Sequence, residues 1–109
     1  MSAIHPLQAA DVPGCARIMA ENPLWQRYGV TPESALRRIS TGLAQGASIL
    51  AAGEPGDPQG FIWYVENGAF ARSGYIMLIG VDTGRQGQGL GYTLMDEAER
   101  IMFQSSRDR

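Results

Sequence analysis

Apolar residues recur at helical spacing over Val12, Cys15, Ala16, Met19 and Ala20, which predicts a first helix. Asp11 stands where an N-cap belongs, and Pro13 falls in the first turn, where a missing N–H does little harm. Asn22-Pro23 should end that helix. The preceding stretch, Ser2–Leu7, is short and reads as an extended edge segment. Leu24–Val30 reads as a loop carrying two large aromatics, Trp25 and Tyr28. Thr31-Pro32-Glu33 predicts a second helix start: a hydroxyl cap, a proline at the first helical position and an acid in the first turn. Ala35, Leu36, Ile39 and Leu43 supply its apolar stripe, and Gly46 its terminator.

Beyond Gly46 the period shortens. Ala47–Ala52 reads as a strand, and Gly53–Gly60, dense in turn formers, as a hairpin loop. Phe61–Glu66 is aromatic and β-branched, hence a second strand. Asn67–Gly74 contains another turn. Tyr75–Val81 is a nearly unbroken apolar run, as expected of a strand covered on both faces. From Gly89 the period is helical again. Leu90, Leu94, Ala98 and Ile101 share one face, flanked by Met95 and Met102, with Asp96 and Arg100 four apart on the wet side. The predicted order is strand, helix, helix, strand, strand, strand, helix. That is an α/β arrangement with helices over the sheet.

Composition narrows the function. The 109 residues are 44% hydrophobic and 18% charged, which suits one globular domain over residues 1–109. A formal net charge of −2 with no basic run argues against nucleic acid or an anionic membrane as partner. No apolar stretch approaches the ~20 residues of a membrane span. One cysteine, Cys15, allows no intrachain disulfide. With no signal-peptide pattern at the start, the expected compartment is the cytoplasm. The lone histidine, His5, gives no basis for a metal site or a Ser-His-Asp triad.

The segment GVDTGRQGQGLGYTLMDEAER, starting at Gly80, carries the candidate chemistry. It joins a buried strand to a helix through Gln86–Gly91. A helix start leaves about four N–H groups without intrahelical acceptors and carries the positive end of the helix dipole. Gly87, Gly89 and Gly91 keep side chains away from those groups, and Arg85 adds a positive charge. This set suits a phosphate or pyrophosphate. The segment lacks the Gly-Lys-Ser/Thr of a Walker A loop. It places Tyr92 where a dinucleotide fingerprint needs its third glycine.

Gln86-Gly87-Gln88-Gly89-Leu90-Gly91 does match [Q/R]-x-x-G-x-[G/A] followed by a helix, preceded by the apolar strand ending in Val81-Asp82. This resembles the coenzyme A-binding motif of the GNAT superfamily of N-acetyltransferases, and the order of elements resembles the first two-thirds of that fold. The resemblance implies a mixed, mostly antiparallel sheet with helices on both faces, incomplete at the C-terminus. It implies acetyl-CoA as co-substrate, no metal, and an amine of a small molecule or protein as acceptor. Pantetheine would pair with the backbone at Ile79, Gly80 and Val81. The pyrophosphate would lie on N–H groups from Gln86 through Gly87, Gln88, Gly89, Leu90 and Gly91 to Tyr92, with Arg85 and Gln86 reaching its oxygens. Trp25 and Tyr28 lie where the family often builds its acceptor pocket.

The chain ends where the family's next strand would begin, so the family's usual tyrosine acid has no counterpart. Glu66, at a strand end beside the cleft, is the candidate general base; the alternative is a solvated carboxylate. The edge of Tyr75–Val81 would lie open, which predicts a homodimer that covers it. Against an acetyltransferase stands one other reading: a non-catalytic coenzyme A-binding or dimerisation module derived from such an enzyme.

Overall fold

The computed structural model describes residues 4–65, 75–82, 84 and 89–107. Strand β1 (Ile4–Pro6) leads through a 3-10 turn (Ala9–Asp11) into helix α1 (Val12–Glu21). Helices α2 (Pro23–Arg27) and α3 (Pro32–Ala44) follow, then β2 (Ser48–Glu54), β3 (Asp57–Val65), β4 (Tyr75–Val81) and helix α4 (Leu90–Arg107). The strands form one sheet in the order β1-β2-β3-β4, and every pairing is antiparallel. Glu66 and the turn expected over Asn67–Gly74 lie outside the described residues.

Alternation along the strands divides the core into two layers. Ile49, Ala51, Phe61 and Leu78 face α1 and α3, meeting Cys15, Ile18, Met19 and Ile39. Leu50, Ala52, Ile62 and Tyr64 face the other way, onto Leu94 and Ala98 of α4. Helices therefore cover both sheet faces, as expected. Full burial of side chains such as Phe61, Ile62 and Leu94 contributes roughly 1.5–3 kcal/mol each.

Local chemistry explains most boundaries. Thr31 and Ser34 exchange side-chain and backbone hydrogen bonds at 2.9 and 3.1 Å, a reciprocal cap that starts α3. Gly46 ends it at φ +77°, a conformation open to glycine at little cost. In α3, Ala35 and Ile39 are buried, whereas Leu36 of the expected stripe is exposed.

Three expectations need correction. Leu24–Val30 is not all loop, because Asn22 both ends α1 and caps α2, accepting from the Leu24 N–H at 2.9 Å. The hairpin between β2 and β3 is far tighter than Gly53–Gly60. Its turn is Pro55-Gly56, and a bulge beside Gly53 absorbs the odd residue. Asp11 precedes α1 but makes no capping bond to it. Its fully buried carboxylate reaches back instead, accepting from Gln8 N–H at 3.0 Å, Gly56 N–H at 2.9 Å and His5 Nε2 at 2.9 Å. The extra 3-10 turn ahead of α1 aims it that way. It thereby ties β1 to the β2–β3 hairpin.

Candidate active site

The site is built where β4 runs out toward α4. Asp82 N–H donates to Gln59 carbonyl at 2.8 Å, closing the last rung against β3. From that rung the antiparallel alternation is set. Gly80, opposite Phe61, turns its backbone groups toward β3. Ile79 and Val81, opposite Ile62 and Gly60, turn theirs toward the outer edge, where the sheet ends. Of the backbone positions expected to meet pantetheine, the register directs Ile79 and Val81 outward and Gly80 inward.

Gly80 is bare for another reason. A Cβ there would stand 2.7 Å from Phe61 Cε1 and 3.2 Å from Ile18 Cγ2. Phe61 and α1 press directly onto its backbone.

A feature that the apolar run of β4 did not announce lies one turn of the pleat earlier. Trp63 pairs with Leu78, but the next residue, Tyr64, pairs with Ile76. Met77 is thus an extra residue, a bulge that breaks the ladder and bends the strand. Runs of uniform hydrophobicity carry no register information, so only the pairing reveals it.

Beyond β4, Asp82 shapes the connection. Its carboxylate accepts from Gly84 N–H at 3.3 Å and pairs with Arg17 of α1 at 3.4 Å. Arg85, Gln86, Gly87 and Gln88 lie outside the described residues. Gly89 follows at φ +80° with no atom within 4 Å of its would-be Cβ. Its carbonyl accepts from both the N–H and the hydroxyl of Thr93, each at 3.0 Å. Thr93 is therefore the first residue of α4 bonded back to this cap. The N–H groups of Leu90, Gly91 and Tyr92 come before any acceptor within the helix. A Cβ on Gly91 would meet only Ile79 Cδ1 and Val81 Cγ2, both at 3.9 Å. At Gly91 the first turn of α4 thus stands against Ile79 and Val81 with no side chain of its own. Leu90 packs on the Leu94 layer, while Tyr92 is 78% exposed.

The acceptor-side candidates diverge. Trp25 packs against the α1–α3 layer with its Nε1–H buried and without an acceptor among the described residues. Tyr28, at the end of α2, is exposed. A cleft of about 430 Å³ opens nearby instead, between α3 and Trp63 of β3, and no local sequence pattern signals it.

The fold is shared with known proteins. The acetyltransferase (GNAT) family model matches residues 11–108, and the chain belongs to that family. Among solved structures, a GNAT-family acetyltransferase from Desulfovibrio desulfuricans superposes with a TM-score of 0.74 at 19% identity, covering 96% of this chain and 68% of that one. A GNAT-family acetyltransferase from Brucella melitensis, solved with acetyl-CoA, gives 0.70 at 19% identity, covering 96% and 70%. The PaiA N-acetyltransferase from Thermoplasma acidophilum, solved with coenzyme A, gives 0.68 at 19% identity, covering 96% and 74%. No curated protein sequence matches the chain. Among the described residues, no helix is long and apolar enough to cross a membrane.

Proposed function

We propose that the chain transfers an acetyl group from acetyl-CoA to an amine. One observation carries this reading: the outward main chain of β4 at Ile79 lies beside a helix start left bare at Gly91, whose would-be Cβ stands 3.9 Å from Ile79 Cδ1. An extended amide-bearing arm can pair along the first and a pyrophosphate can sit at the second. Acetyl-CoA supplies an activated acyl carbon with a thiolate leaving group.

The protein's part is positional and electrostatic. N–H groups at Leu90, Gly91 and Tyr92 hold the phosphates. By the family resemblance, Arg85, Gln86, Gly87 and Gln88 would also contact the phosphates. The main chain near the Met77 bulge, where ladder bonds are broken, is the place for an N–H that polarises the thioester carbonyl. The amine approaches from the α1–α3 side, past Trp25 and Tyr28, and Glu66 takes its proton, directly or through water. The test is release of coenzyme A thiol from acetyl-CoA across a panel of amines. Acetyl-CoA binding without release under any amine would favour the non-catalytic reading.

A further inference from the structure

The cleft between α3 and β3 has a composition that its surroundings do not explain. Ser34, Arg37, Arg38 and Thr41 of α3, with Gln45 just past its end, line it at the three- and four-residue spacing of a single helix face. A solvated helix face ordinarily mixes both signs of charge in pairs. This stripe carries two cations and no acid. Glu33 stands four residues before Arg37, the favourable i,i+4 arrangement, yet it does not pair with it. Among the described residues, neither Arg37 nor Arg38 has a carboxylate within 4 Å.

The opposite wall is the indole of Trp63, against which α3 approaches so closely that a Cβ on Gly42 would stand 2.4 Å from its Cη2. Trp63 pairs with Leu78, the residue beside the β4 bulge. The cleft is therefore one strand away from the proposed acyl-transfer point, on the sheet face assigned to the acceptor. Its volume, about 430 Å³, lies within the range of small-molecule sites.

We infer that this cleft holds the acceptor by a carboxylate. The acceptor class is a small amine bearing at least one carboxylate, with Arg37 and Arg38 as the anion-binding pair and Trp63 as the apolar wall. Guanidinium forks match carboxylates with paired hydrogen bonds. Thr41 and Gln45 add neutral donors. The inference rests on the transferase reading above and names the substrate class for it.

The experiment compares acceptors that differ only in charge: L-aspartate with its diamide, and β-alanine with β-alaninamide, each with saturating acetyl-CoA. The acid of each pair should show a kcat/KM higher by about tenfold or more, about 1.4 kcal/mol per tenfold. Arg37→Gln or Arg38→Gln should raise its KM by a similar factor and leave acetyl-CoA affinity unchanged. Arg→Lys should restore part of the loss. Equal or better use of the amides, or the same loss on both members of a pair, overturns the inference while leaving the transferase reading intact. Absence of acetyl-CoA binding by calorimetry overturns the transferase reading instead. The cleft is then read without turnover, by titrating L-aspartate and its diamide against amide and indole proton shifts. Saturable shifts in α3 and Trp63 with the acid alone support the anion site; their absence overturns it.

Discussion

Three glycines around the site are bare for three different reasons, and alanine substitution should separate them. At Gly80 the obstacle is contact. The new Cβ would stand 2.7 Å from Phe61 Cε1, and Phe61 is fully buried, so the ring has no free direction in which to yield. Overpacking of this kind costs about 1–3 kcal/mol. At Gly89 there is open space, but φ is +80°, and an L-residue there costs roughly 1–2 kcal/mol. At Gly91 neither obstacle exists. The Cβ finds ordinary contacts at 3.9 Å, and alanine gains up to ~1 kcal/mol of helix propensity over glycine. Urea unfolding should therefore rank Gly80→Ala and Gly89→Ala below the parent, and Gly91→Ala level with it or above. Thermal midpoints should move by about 4–8 °C per kcal/mol. A neutral Gly80→Ala, or a Gly91→Ala as damaging as the other two, would refute the packing on which the site geometry rests.

Other consequences follow from the same contacts. Burial pushes the Asp11 carboxyl up, but hydrogen bonds from Gly56, Gln8 and His5 outweigh it and hold its pKa below the usual value. A depressed carboxyl stabilises the fold fully above the unfolded value near 4 and loses that contribution as pH falls through the folded pKa. Asp11→Asn should cost about 2 kcal/mol at neutral pH and flatten the acid limb of a stability–pH curve; an unchanged limb would contradict the assignment. Cys15 is fully buried, and burial, with the Asp11 charge second, pushes its thiol up to about 12. Iodoacetamide at pH 8 should leave it unmodified in the folded chain and label it in urea, as read by mass spectrometry; native labelling would place it outside the core. A homodimer paired along Tyr75–Val81 would cover the outward main chain at Ile79 that the coenzyme needs. Sedimentation should then show a dimer that saturating acetyl-CoA dissociates, and a monomer at all concentrations would dismiss the dimer.

Elements with a strong period and explicit caps were legible from sequence. Tyr75–Val81 is β4 to the residue, and the Thr31-Pro32 start and Gly46 stop of α3 stand as read. What escaped depends on pairings that no local pattern encodes. Asn22 serves two helices at once, so its stop signal hid a start. Asp11 has the local context of a cap, but its partners Gly56 and His5 are brought to it by the hairpin and β1. The Met77 bulge and the inward turn of Gly80 are facts of register. Arg37 and Arg38 carry no local signal, and only Trp63, brought from β3, makes a cleft beside them. The start of α4 after Gly89 was legible, because the glycine at φ +80° and the helical period that follows it are local to that segment.

The proposed function requires that the first turn of α4 and the outer edge of β4 form one coenzyme site. It is tested most directly by calorimetric titration of the chain with acetyl-CoA, alongside a Gly91→Leu variant whose unfolding midpoint matches the parent. Saturable binding by the parent and its loss in the variant are expected, because a leucine whose Cβ already touches Ile79 and Val81 at 3.9 Å would crowd the helix start beside the outer edge of β4. No binding by the parent, or equal affinity in the variant, would contradict it.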